Sequence, residues 1–362
     1  MEKVHLKGLN GLRAIAALAV VYSHISLSLS AFGISPRISS DLAGYGVTLF
    51  FALSGFLISL LLFKEKERFQ RIDIKKFYVR RILRIWPLYY LYLLIWLLSA
   101  NLFFREAINY PSLLLHVFFF PNIPFILGSP LPRMSHYWSL GVEEQFYSFW
   151  PVVLQKLKNP YRSLSLFIII FLIVKVIFRL IEIRWGYHIP YTAITVNRFD
   201  CMAIGGVGAY IYFTDQRKIL NIICSLPAQL ISWGVIFLAA INKFHTISLL
   251  DNEIFSVVSV VLIINVCSNP RTVIRMDNRV MDFLGKISFG IYVYHPLIIF
   301  FDELLLNHLA ISLTAKIILT FISVPLMTIL VAYISYEFYE KKFILLKERY
   351  SKIQSTSTKY SF

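Results

Sequence analysis

The stretch Gly44-Tyr-Gly-Val-Thr-Leu-Phe-Phe-Ala-Leu-Ser-Gly-Phe-Leu-Ile-Ser-Leu-Leu-Leu-Phe63 runs without a charge and is followed at once by Lys64. About 20 predominantly apolar residues are what a helix needs to cross a hydrocarbon core of about 30 Å. The whole chain has the same character: 362 residues, 57% hydrophobic and only 15% charged, with a mean hydropathy of +0.67. Soluble domains carry about 45–50% apolar and about 25% charged residues. Lipid is therefore the expected solvent.

The same criterion picks out ten stretches, roughly 12–30, 44–63, 86–104, 138–156, 163–183, 199–213, 220–241, 252–268, 283–301 and 315–338. Another apolar stretch, 111–127, is interrupted by Pro111, Pro121 and Pro124, and proline removes helix donors, so it reads as re-entrant or interfacial. The expected fold is all-α: a polytopic transmembrane helical bundle of about ten spans plus that segment, with both termini cytoplasmic. Charge agrees with this division. Of the 36 Lys and Arg, 26 fall on the side of the N-terminus. Only Arg37, Arg105, Arg133, Arg184, Arg198 and Lys243 fall on the other, and Lys175, Arg179, Lys286 and Lys316 lie within spans. Basic residues accumulate in cytoplasmic loops. The net charge of +16 is accordingly a sidedness signal, and no nucleic acid partner is expected. Residues 1–12 read as the lead into a retained first helix, because Arg13 interrupts the core a signal peptide would need. No soluble domain and no internal repeat are expected. Cys201, Cys224 and Cys267 lie far apart, which excludes a disulfide scaffold and a thiolate metal site.

Several polar groups stand out against this apolar background. Arg13 and His24 are eleven residues apart, so eleven steps of about 100° leave about 20° of rotation and put both on one helix face, about 16 Å apart along the axis. His24 then falls near the midplane, where an ionisable group is costly and marks a functional path. A neutral imidazole there serves either as a general base or as a group hydrogen-bonded between helices, to Ser23 or Ser26. Phe77-Tyr-Val-Arg80-Arg81-Ile-Leu-Arg84-Ile-Trp86-Pro87 ends a loop already holding Lys64, Lys66, Arg68, Arg71, Lys75 and Lys76. At helical spacing these guanidinium groups crowd and call for an anion. Arginine forks bind phosphate, either on lipid headgroups or on a phosphorylated cytosolic ligand such as coenzyme A.

The segment His136-Tyr-Trp138-Ser-Leu-Gly-Val-Glu143-Glu144-Gln145-Phe-Tyr147 opens the fourth span. Its acids suit the positive end of a helix dipole, and Trp138, Glu143, Glu144 and Gln145 are also the equipment that grips sugar hydroxyls. Asn197-Arg198-Phe-Asp200 reads as an ion pair where a helix begins. In Ser288-Phe-Gly-Ile-Tyr292-Val-Tyr294-His295-Pro296 the proline is expected to kink the helix, and His295 reads as core packing.

Together these segments resemble the acyltransferase-3 family, bacterial integral-membrane enzymes that O-acetylate surface glycans. The resemblance runs nearly end to end. It rests on Leu9-Asn-Gly-Leu-Arg13 with the ten-residue spacing to His24, Gly46-Val-Thr-Leu-Phe-Phe-Ala-Leu-Ser-Gly55-Phe-Leu-Ile, Arg80-Arg81-x-x-Arg84-Ile-x-Pro87, Trp138-Ser-Leu-x-Val-Glu-Glu-Gln-Phe-Tyr147, Arg198-x-Asp200, Ser288-Phe-Gly-Ile-Tyr-x-x-His-Pro296 and Ser335-Tyr-Glu337-x-x-Glu340. It implies an acyltransferase domain over residues 1–340 followed by a basic cytoplasmic tail, 341–362. It also implies acetyl-CoA as acyl donor on the cytoplasmic side, with Arg81 and Arg84, joined by Arg80, at its phosphates, and Arg13 and His24 as the essential catalytic pair. The acceptor implied is a glycan or lipid-linked glycan of the O-antigen, capsule or exopolysaccharide class, gripped by Trp138, Glu143, Glu144 and Gln145. No metal is implied, and the location is the bacterial cytoplasmic (inner) membrane. The family's appended extracytoplasmic hydrolase-like domain is expected to be absent.

Two positions depart from the family pattern. Thr48 stands where the second span often carries an acid, so a carboxylate partner for His24 falls to Asp41 or Glu143 or is dispensed with. Lys341 follows Glu340 where proline is common. A transporter or flippase for a lipid-linked or small solute is the alternative for such a chain, although such proteins commonly show paired inverted repeats. A non-catalytic scaffold is a third.

Overall fold

A computed structural model describes residues 2–34, 41–104, 107–245, 249–350 and 353–356. Arg37, Arg105, Lys352 and Lys359, counted above among the basic residues, lie outside them. The chain folds as a helical bundle. Its first half contains α1 (Leu9–Ser28), α2 (Asp41–Phe69), α3 (Ile74–Ser99), α4 (Tyr110–Val117), α5 (Asn122–Ile126), α6 (Trp138–Lys156) and α7 (Pro160–Trp185). The second half contains α8 (His188–Asn197), α9 (Phe199–Phe213), α10 (Arg217–Ile223), α11 (Leu226–Ala240), α12 (Asp251–Ser268), α13 (Arg279–Lys286), α14 (Ser288–His308), α15 (Leu313–Ser335) and α16 (Lys341–Glu348). Local sequence signals start many of them. Asp73, Asn159, Ser225, Asn278 and Ser312 each cap a helix by accepting from a backbone amide three residues on, which satisfies one of the donors that a helix start leaves open.

Among the described residues seven helices are long and apolar enough to cross a membrane, and eight if α10 and α11, bent by 51°, form one span. The other two expected spans are helices that fall short of that measure. The 19-residue α6 carries Glu143, Glu144 and Lys156, and the 15-residue α9 is only about 22 Å long. The proline-broken stretch 111–127 forms the short α4 and α5, neither able to span about 30 Å. One element departs from the all-helical expectation. Strand β1 (Glu2–His5) pairs in parallel with β2 (Ile353–Thr356), Glu2 facing Ile353 and His5 facing Thr356. Four residues are too few for alternation to announce a strand.

Helix α2 is the hub, packed against α1, α6, α9 and α12, while α7 turns Ile169, Ile173, Leu180 and Ile183 outward. Without a hydrophobic drive inside lipid, helices associate through small residues that let backbones touch. A Cβ on Gly55 would fall 1.9 Å from the Met202 carbonyl oxygen, and one on Gly205 would fall 2.3 Å from that of Ala52. The contact between α2 and α9 is thus backbone on backbone. The bundle holds a buried ion pair beneath it: Lys175 Nζ lies 2.5 Å from Glu253 Oε1, with Asp200 buried beside them.

Candidate active site

Two cavities meet inside the bundle. One, of about 500 Å³, is bordered by His24, His136, Trp138, Arg198, Asp41 and Asp251. The other, of about 130 Å³, is bordered by Arg13, Arg81, Arg84, Ser54, Glu143 and Tyr147. Val47 and Tyr292 border both, so the two cavities adjoin at these side chains. Helix α1 reaches one cavity with Arg13 and the other with His24, as their shared face and axial separation require.

The arginine cavity gathers positive charge. Arg13 donates to Asn10 Oδ1 at 3.4 Å. The Arg81 guanidinium lies over the rings of Phe77 at 5.7 Å and Tyr147 at 5.9 Å, and its buried Nε has no hydrogen-bond partner. The charges of Arg13, Arg81 and Arg84 bear on one another, and that of Lys347 bears on all three. The one carboxylate bordering this cavity is Glu143, which accepts from Ser54 Oγ at 2.9 Å. An orphaned buried donor among crowded guanidinium groups suits an anion such as a phosphate. Arg80 is turned elsewhere. It pairs with Glu65 at 3.3 Å and donates to the Tyr350 carbonyl at 3.0 Å.

In the histidine cavity, His24 Nδ1 lies 2.6 Å from His295 Nε2, and His295 Nδ1 lies 2.8 Å from the Tyr292 carbonyl oxygen. Trp138 stacks on Phe125 at 5.5 Å between ring centres and carries the Arg198 guanidinium 5.4 Å over its ring. Arg198 donates to the Thr48 hydroxyl at 2.9 Å and the Gly44 carbonyl at 3.1 Å. His245 sits between Asp41 at 3.6 Å and Asp251 at 3.9 Å. An aromatic wall with acids, amides and a guanidinium around it matches the hydroxyl-rich surface of a sugar. Among the described residues no group of three or more His, Cys, Asp or Glu could hold a metal ion.

The residues singled out in the sequence are divided between these places. His24 and Trp138 border the histidine cavity, whereas Arg13, Arg81, Arg84 and Glu143 border the arginine cavity. Glu144 accepts from Trp86 Nε1 at 3.3 Å, and Gln145 exchanges hydrogen bonds with Asn122 at 2.8 and 3.1 Å. Neither borders either of these two cavities. The ring partner of His24 is His295, read from sequence as core packing, and no carboxylate takes that place. Tyr292 lies in the same Ser288–Pro296 motif as His295. Its hydroxyl bonds the His136 carbonyl at 2.8 Å and Ser139 Oγ at 2.6 Å, which fixes the side chain at that border.

A basic cavity thus adjoins a cavity lined by aromatic, acidic and guanidinium side chains, inside a bundle of long apolar helices. Residues 6–337 match the acyltransferase domain family, and the chain belongs to it. The chain is similar to the O-acetyltransferase OatA of Staphylococcus aureus (strain NCTC 8325 / PS 47), 26% identical over 93% of this chain and 57% of that protein. It is also similar to the peptidoglycan O-acetyltransferase OatA of Listeria monocytogenes, 25% identical over 81% of this chain and 49% of that protein. The chain therefore spans only about half the length of the curated relatives it matches. No solved structure matches.

Proposed function

We propose that the protein is an O-acetyltransferase of the bacterial cytoplasmic membrane that moves an acetyl group from cytosolic acetyl-CoA to a hydroxyl of an extracytoplasmic or lipid-linked glycan. The observation that carries this reading is the shared border: with the donor's phosphates on Arg13, Arg81 and Arg84, its thioester would reach His24 past Val47 and Tyr292, which line both cavities. Arg80, held by Glu65, braces the same helix. Glu143 balances the arginines, and Trp138 with Arg198 receives the sugar. Glu144 and Gln145 support that wall through Trp86 and Asn122.

His24 takes the proton of the acceptor hydroxyl as its oxygen attacks the thioester carbonyl. The new C–O bond forms, the C–S bond breaks, and the sulfur leaves as the thiol of coenzyme A with the proton returned by His24. The topology that suits this chemistry has about ten spans, α4 and α5 at or within one interface, and both ends of the domain (1–340) with its basic tail (341–362) in the cytosol, beside the donor. One relative is a peptidoglycan O-acetyltransferase, and peptidoglycan is therefore assayed first together with O-antigen, capsule and exopolysaccharide. His24→Ala should abolish glycan acetylation in cells at normal protein levels. Full acetylation in that variant would remove His24 from the mechanism.

A further inference from the structure

Helix α14 contains Pro296, which has no amide hydrogen. In an uninterrupted helix residue 296 would donate to the carbonyl four residues back, that of Tyr292. Here that carbonyl receives the His295 ring, whose Nδ1 lies 2.8 Å away. A carbonyl oxygen only accepts, so the His295 proton is on Nδ1, and in the neutral ring Nε2 is left as an acceptor. His295 Nε2 lies 2.6 Å from His24 Nδ1, so the hydrogen between the rings belongs to His24. Neutral His24 then carries a bare Nε2. No carboxylate among the described residues hydrogen-bonds either ring, and the His295 ring is wholly buried, where a charge without a partner is costly. His136 packs against the His295 ring. Its Nε2 donates to the Val293 carbonyl at 3.2 Å, and its ring lies 5.3 Å from that of His295.

We propose that His295 is a positioning residue for acetyl transfer: held by the carbonyl that Pro296 leaves open, it sets His24 in the Nδ1–H tautomer and so presents a lone pair on Nε2 to the acceptor hydroxyl. This rests on the reading of His24 as the base. The Ser-His-Asp triad obtains the same result from a carboxylate, and loses about 10⁴-fold in rate when its histidine takes the wrong tautomer. Here a proline and a backbone carbonyl do that work through a second imidazole.

The test is nitrogen NMR of the full chain in lipid nanodiscs with ¹⁵N-labelled histidine, since protonated and bare ring nitrogens resonate far apart. The His24 signals are those lost in His24→Asn. Wild type should show His24 with Nδ1 protonated and Nε2 bare. Pro296→Ala restores an amide that competes for the Tyr292 carbonyl, so the bare-Nε2 population should fall and acetyl transfer drop by roughly 100-fold or more. His295→Gln, which keeps an acceptor for His24 Nδ1, should retain more activity than His295→Leu at equal protein levels. A protonated Nε2 on wild-type His24, or a His24 tautomer unchanged in Pro296→Ala, overturns the positioning role. Retained acetylation in His24→Ala overturns the base assignment instead, whichever tautomer the spectra show.

Discussion

The Arg198 guanidinium donates to the Thr48 hydroxyl at 2.9 Å, tying α2 to the junction of α8 and α9. Its other bonds go to the carbonyls of Gly44 and Thr195, so this half-buried cation is hydrogen-bonded by neutral oxygens. Thr48→Val keeps the shape and removes one acceptor. The unfolding midpoint of the purified protein should fall, corresponding to about 1–3 kcal/mol for a hydrogen bond to a charged group. An unchanged midpoint would show that the bond contributes nothing.

Gly55→Ala and Gly234→Ala should behave oppositely. The first forces a methyl to within 1.9 Å of the Met202 carbonyl oxygen, whereas the second meets nothing within 4 Å. Gly55→Ala should separate α2 from α9 and give little monodisperse protein on size-exclusion chromatography. Gly234→Ala, in the exposed body of α11, should be neutral or stabilising by up to about 1 kcal/mol from helix propensity.

Lys175→Met strands Glu253 beside Asp200 in the bundle. Breaking one side of a buried pair typically costs about 3–5 kcal/mol, while replacing both partners by apolar groups is often neutral. Lys175→Met/Glu253→Leu should therefore recover most of the thermal stability lost in Lys175→Met. Equal losses in the two variants would mean that packing, not charge, decides stability there.

Arg81→Ala and Arg84→Ala should each weaken coenzyme A binding, measured by calorimetry on purified protein, by roughly 10-fold or more, as charge-assisted bonds to phosphate imply. Arg80→Ala should leave that affinity within about 2-fold and lower the melting temperature instead, because it abandons the buried Glu65. Loss of binding in Arg80→Ala alone would reverse these roles.

Helical periodicity carried the sequence reading furthest where a single helix was enough. Arg13 and His24 do share one face of α1 and reach two cavities that adjoin. The same periodicity limits what adjacent residues can share. Glu143, Glu144 and Gln145 are successive, so steps of about 100° send them to Ser54, Trp86 and Asn122 respectively. The pairing of His24 with His295 joins residues 271 positions apart, and nothing local in either segment announces it. Pro296 was visible as a break in the helix, but the carbonyl it leaves open has meaning only once the ring beside it is seen.

The short ladder between β1 and β2 constrains the membrane topology by parity. Residues 2–5 and 353–356 are hydrogen-bonded neighbours, so the chain between them must return to the face of the membrane from which it started. An odd number of crossings is incompatible with that ladder. The seven helices that are long and apolar enough among the described residues therefore cannot be the crossing set as they stand: the number is one more or one fewer. One more crossing would come from the bent α10–α11 pair, from α6 with its charged side chains or from the short α9.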